Sequence, residues 1–141
     1  MNKEAKIYIA GHTGLVGGAI LRGLRKAGYS NIITQTHSQL DLKRQNDVES
    51  FFSYYRPDYV FLAAAKVGGI GANSSYPADF IYDNTMIGFN IIHSAYKNGV
   101  QKLLNLANLL YKSPHKFRHG NAVYGLLHAQ TIADYKAVSM N

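Results

Sequence analysis

The chain contains no cysteine among its 141 residues. Disulfide frameworks and thiolate chemistry are thereby excluded, which agrees with a cytoplasmic location. No apolar run approaches the ~20 residues that a membrane-spanning helix needs. The opening Met1-Asn2-Lys3-Glu4 has no signal-peptide core, so no membrane partner is expected. The 47% hydrophobic and 16% charged content is not that of a disordered chain. At this length one domain with a sizeable core is the expectation.

Acidic residues are the scarcer sign, eight Asp/Glu against fifteen Lys/Arg, for a net charge of +7. The imbalance is uneven. Residues 1–100 carry ten basic against seven acidic side chains, and residues 101–141 carry five against one, together with His115, His119 and His128. A basic tail is a footprint that nucleic acid or an anionic surface can use. This one has no zinc-finger spacing, no arginine-rich helix and no aromatic RNA-binding motif. It reads as a solvated tail, and nucleic acid is not an expected partner.

What the sequence does contain begins at Lys6-Ile7-Tyr8-Ile9-Ala10-Gly11-His12-Thr13-Gly14-Leu15-Val16-Gly17-Gly18. This is a short apolar strand, a glycine turn and the opening of a helix. At such a junction Gly11 permits the tight turn, Gly14 lets a pyrophosphate approach the backbone, and Gly17 packs helix against strand. The helix start adds free N–H groups and a positive dipole end, both suited to phosphate.

Downstream the pattern alternates. Leu15, Val16, Ala19, Ile20 and Leu24 share one helical face, and Gly28 stops that helix. A strand is expected over 31–35 and a turn over 38–41. Val48, Phe51, Phe52 and Tyr55 mark a second helix, broken by Pro57-Asp58. The run over 59–63 lacks alternation, as in a parallel strand buried on both faces. After a Gly-rich loop over 67–75, a helical pattern starts at Ala78 and ends at Asn98-Gly99, with Phe80, Ile81, Met86, Ile87, Ile91, Ile92 and Ala95 as its apolar face. A fourth strand follows over 102–107. Strand–helix alternation with short links implies a Rossmann-type, doubly wound parallel α/β sheet with right-handed crossovers. Its ligand belongs at the carboxyl ends of the strands.

An NAD site places an acid about 20 residues beyond the glycine turn. Thr34, Gln35, Thr36 and His37 fill that window. The missing acid favours NADP over NAD, with His37, Lys43 or Arg44 as sources of positive charge. Asp41-Leu42 is placed either along the adenine edge or, for Asp41, at a helix cap.

Several motifs then combine: Gly11-His12-x-Gly14-x-Val16-Gly17, Leu62-Ala63-Ala64-Ala65-Lys66-Val67-Gly68-Gly69-Ile70, Ala72-Asn73 and Tyr76-Pro77-Ala78-Asp79-Phe80-Ile81. Asn84, Asn90-Ile91-Ile92-His93 and Lys102-Leu103-Leu104 extend them. Together they resemble the GDP-L-fucose synthase family, NADP-dependent epimerase-reductases of the extended short-chain dehydrogenase group. The resemblance covers residues 5–107 of an expected NAD(P)-binding domain over 1–107, and fades over 108–141, read as a degenerate or truncated continuation of the same domain without the sugar-nucleotide domain. It implies epimerisation and NADPH reduction of GDP-4-keto-6-deoxymannose. It also implies that Gly11, Gly14 and Gly17, with Leu15 and Val16 beside them, hold the pyrophosphate. Asp41 and Leu42 would flank the adenine, and Ala63, Ala64 and Ala65 would line the cofactor. Lys66, Asn73 and Asn84 read equally as site residues or as scaffolding. Members often pair through a helix such as that over 78–98, which makes a homodimer the expected assembly.

The departures are chemical. The family has Arg at Thr13 and again near His37, where they grip the 2′-phosphate. After the fourth strand it has Gly-Ser-Ser-Cys, whereas here Ala107-Asn108-Leu109-Leu110 supplies neither hydroxyl nor thiol. Reduction needs a Tyr with Lys four residues on, to protonate the alkoxide. None of the eleven tyrosines has one; Tyr124 is followed at that spacing by His128 and Tyr111 by His115. Tyr124 is the nearest catalytic candidate. The expected protein therefore keeps the cofactor-binding half without turnover. The competing expectation is a non-catalytic nucleotide-binding or dimerising module.

Overall fold

The computed structural model describes residues 1–68 and 75–106. All of them belong to one compact unit, Met1–Leu109. Tyr124, Asn108, Asn73, the Tyr111/His115 pair and the remainder of the tail fall outside the described residues.

Four strands, β1 (Ile7–Ala10), β2 (Ile32–Gln35), β3 (Tyr59–Leu62) and β4 (Lys102–Asn105), form one sheet in the order β2-β1-β3-β4. Every pairing is parallel, with Ile7 opposite Ile32 on one side and Tyr59 on the other, and Tyr59 opposite Lys102. Helix α1 (Leu15–Lys26) links β1 to β2, α2 (Gln45–Tyr55) links β2 to β3, and α3 (Pro77–Lys97) lies between β3 and β4. The chain leaves β1 in one direction to reach β2, then returns past it to β3. Right-handed crossovers therefore place α1 on one face of the sheet and α2 and α3 on the other. This is a Rossmann-type doubly wound sheet, and its order reverses between β1 and β3.

The core lies mainly on the α2–α3 face. Tyr8, Ala10, Val60 and Leu62 point there from the strands and meet Val48, Phe51, Phe52, Ile91 and Ala95 from the helices. Tyr8 and Phe52 are nearly fully buried and meet edge to face at 5.9 Å, with Phe51 4.5 Å from Tyr8. Burial pushes the Tyr8 phenol far above its ordinary pKa, so it remains protonated. At the amino ends of the strands, Asp58 joins three segments. Its Oδ2 accepts from the Lys6 N–H at 2.8 Å and its carbonyl from the Gln101 N–H at 2.8 Å.

Three expectations are corrected. β1 is buried along its whole length, but β3 alternates, with Val60 and Leu62 buried and Tyr59 and Phe61 half-buried. Among the described residues, only the α2–α3 face of β3 is fully covered. In α1 the only buried residue is Gly17; Leu15 is 88% exposed and Val16 is 50% exposed. Helix α3 buries Gly88, Asn90, Ile91, Ser94 and Ala95, whereas Ile81 and Ile92 turn outward. The helix has two apolar faces, and a single-face reading had merged them.

The aromatic cluster predicts that Phe52→Ala lowers stability by about 3–5 kcal/mol, the range for truncating a fully buried Phe. Chemical denaturation of the two proteins checks this.

Candidate functional site: the glycine turn at the sheet crevice

The turn that follows β1 is built from backbone. Gly11 adopts φ +84°, which L side chains rarely take. A Cβ placed there would lie 2.6 Å from the Ala64 nitrogen and 2.8 Å from the Ala63 carbonyl carbon. A Cβ on Gly17 would lie 2.2 Å from the Gly11 carbonyl oxygen. Gly11 is thus pressed between the first turn of α1 and the segment leaving β3. The ladder continues to this point, since the Ala63 N–H donates to the Ala10 carbonyl at 2.9 Å.

Gly14 differs. Its φ of −78° is ordinary, and a Cβ there would meet only the Gly11 oxygen, at 3.4 Å. It is the N-cap of α1, its N–H donates to the Gly11 carbonyl at 3.1 Å, and no side chain caps the helix. The first-turn N–H groups of Leu15, Val16 and Gly17 have no intrahelical acceptor, and that turn carries no acidic residue. The combination is open backbone donors, a positive dipole end and two exposed apolar side chains at the lip. It can accept a diphosphate with a flat group beside it.

The other predicted residues divide. Ala63, Ala64 and Ala65 are half-buried along the wall next to Gly11. His37 is exposed just past the end of β2, within the turn closed by Thr36 and Gln39. Lys43 and Arg44, the alternative cations, are both engaged: Lys43 Nζ lies 3.4 Å from Asp83, and Arg44 Nε lies 3.9 Å from Asp41. Asp41 is not the cap of α2, because the N-cap is Arg44. Its Oδ1 instead accepts from the Lys43 N–H at 3.0 Å in a side-chain turn ahead of the helix. Leu42 is buried with its side chain in the core.

Two residues of α3 to which the sequence reading gave no individual role reach these loops. Asn90, buried, donates to the Leu42 carbonyl at 2.9 Å. Asp83 bridges Lys66 at 2.8 Å and Lys43 at 3.4 Å. The Lys66 hydrogen bond, helped by the nearby Lys43 and opposed by burial, holds the Asp83 carboxyl below the usual range, and the same bond raises the Lys66 ammonium. The available signal was Asn90 itself, a polar residue at a core position of the apolar repeat.

The profile of the NAD dependent epimerase/dehydratase family matches residues 7–130. The chain belongs to that family. It is 61% identical over 107 residues to GDP-L-fucose synthase 1 of Arabidopsis thaliana, covering 76% of this chain and 33% of that protein. It is 51% identical over 108 residues to GDP-L-fucose synthase of Escherichia coli K12, covering 77% of this chain and 33% of that one. Among solved structures, it superposes with a TM-score of 0.70 on a GDP-mannoheptose C4 reductase from Campylobacter jejuni with NADP bound, at 46% identity over 73% of this chain and 32% of that one. A GDP-L-fucose synthetase from Naegleria fowleri bound to NADP gives 0.64 at 27% identity, over 74% and 31%. The chain spans about a third of the length of the curated relatives it matches. Among the described residues no group of three or more His, Asp or Glu side chains could hold a metal ion, and no helix is long and apolar enough to cross a membrane.

Two substitutions in α1 separate the glycine roles. Gly17→Ala forces a methyl into the Gly11 carbonyl and is expected to cost about 1–3 kcal/mol. Gly23→Ala meets nothing within 4 Å and is expected to stabilise by about 0.5–1 kcal/mol. Thermal unfolding of both variants checks the contrast.

Proposed function

We propose that this chain is an NADP-binding domain of GDP-L-fucose synthase type that binds the dinucleotide with the diphosphate on the N–H groups of Leu15 and Val16. The observation that carries this reading is Gly14, left open while Gly11 and Gly17 are locked against backbone. The names of the relatives and the NADP in two solved structures support it. NADP is favoured over NAD because the end of β2 carries no carboxylate to repel a 2′-phosphate. In the whole family enzyme the substrate would be GDP-4-keto-6-deoxymannose. Within these 141 residues no Tyr has Lys four positions on, so the function proposed for this chain is binding without reduction.

The dinucleotide supplies hydride chemistry when bound. The chain's own contribution is to orient it: the helix start meets the diphosphate, and the 63–65 segment forms the second wall. Calorimetric titration should show heat with NADPH and weaker or no heat with NADH; silence with both would overturn the reading. Thr13→Arg restores a cation that the family resemblance places at the 2′-phosphate. It should tighten NADPH by about 1.5–3 kcal/mol, tenfold or more, without tightening NADH.

A second reading concerns assembly. Ile81, Tyr82, Phe89, Ile92 and Tyr96 form an exposed apolar stripe along α3, at helical spacing over most of its 21 residues. Such a stripe is suited to a copy of itself, and a homodimer through α3 is the assembly we favour. Sedimentation equilibrium should give a dimer for the chain and a monomer for Phe89→Glu. A monomeric parent chain would remove this reading.

A further inference from the structure

We infer that Asn84 is a positioning residue that sets the second wall of the nucleotide crevice from α3, an inference that rests on the cofactor-binding reading above. Its carboxamide clamps both sides of one loop residue. Oδ1 accepts from the Lys66 N–H at 2.6 Å, and Nδ2 donates to the Lys66 carbonyl at 3.0 Å. The pair imitates a strand neighbour for a segment that has left the sheet, since β3 ends at Leu62. Lys66 is three residues beyond Ala63, whose backbone abuts Gly11. A loop fixed at Ala63 by the ladder and at Lys66 by Asn84 has only Ala64 and Ala65 between two fixed points. Those are the two residues that would otherwise decide how closely the wall approaches a bound dinucleotide.

The neighbouring ion pairs do not do the same work. Asp83 reaches only the flexible end of Lys66, at a side chain 41% exposed, and does not hold the backbone. The two adjacent residues of α3 therefore make distinguishable predictions. Asn84→Ala should weaken NADP⁺ binding about tenfold and speed amide hydrogen exchange over 63–68, with exchange in β1 unchanged. Asp83→Asn should alter neither by more than about twofold. Asn84→Asp adds a readout that plain destabilisation would not move. A protonated acid has the donor and acceptor of the amide, whereas a carboxylate has lost the donor. Its affinity deficit relative to the parent chain should narrow as pH falls from 7 towards 4, into the ordinary carboxyl range, while that of Asn84→Ala stays constant. The charged groups around it, Lys66, Asp83, Asp79 and Lys43, are common to all the proteins except Asp83→Asn, so they cancel in the comparison with the parent chain.

The experiment uses the full chain throughout, with NADP⁺ as the probe. Unchanged affinity and unchanged exchange in Asn84→Ala would overturn the inference, as would an equal loss in Asp83→Asn. If the parent chain binds no NADP⁺ at all, the cofactor reading fails on its own, and the exchange over 63–68 still decides whether Asn84 holds the loop.

Discussion

Three pieces of backbone meet at Gly11, and the rest of the site follows from how closely they approach. The end of β1, the first turn of α1 and the segment leaving β3 are packed to distances at which no Cβ fits on Gly11 or on Gly17. Close approach on that side leaves the start of α1 directed outward at the point where the strand order reverses. In an open parallel sheet that crevice is where ligands bind. The turn therefore serves two purposes with different glycines: Gly11 and Gly17 are required by packing, and Gly14 leaves space.

Helix α3 links this crevice to the rest of the fold. Its inner face contributes Ile91 and Ala95 to the core, and polar residues on the same helix reach the loops after β2 and β3. Asn90 holds the Leu42 carbonyl, Asn84 brackets Lys66, and Asp83 joins lysines from both loops. Its outer face is left with aromatic and aliphatic side chains in the described residues. One helix thus carries core packing, loop registration and an apolar surface. That is why its hydrophobic pattern extends around more of its circumference than a surface helix needs.

The element order and the nature of the turn were legible because each rests on local physics. A strand of apolar residues, glycines three apart and an amphipathic helix state a tight strand–turn–helix junction within thirteen residues, and Pro57 and Gly99 punctuate the chain where helices end. Partnership across the sheet was not legible. Asp41 suited a helix cap as well as an adenine edge because capping is local, yet the N-cap of α2 is Arg44 and Asp41 serves a turn ahead of it. Leu15 and Val16 fit the apolar face of α1 by spacing but face outward, because Gly17 is the residue that draws the helix onto the strand. Lys43 looked like a free cation for a phosphate; its pairing with Asp83, forty residues away, depends on a tertiary contact that no local pattern encodes.

The central claim is that Gly14 is a glycine for the ligand's sake and not for the fold's. Its backbone angles suit any residue, and an added methyl would meet only one atom, at ordinary contact distance. The most direct measurement compares Gly14→Ala with the parent chain in both denaturant stability and NADPH titration. The account predicts stability within about 1 kcal/mol, the scale of a changed N-cap, with affinity reduced at least about tenfold by a methyl standing where the diphosphate must approach. Equal affinity in the two proteins, with both folded, would contradict it.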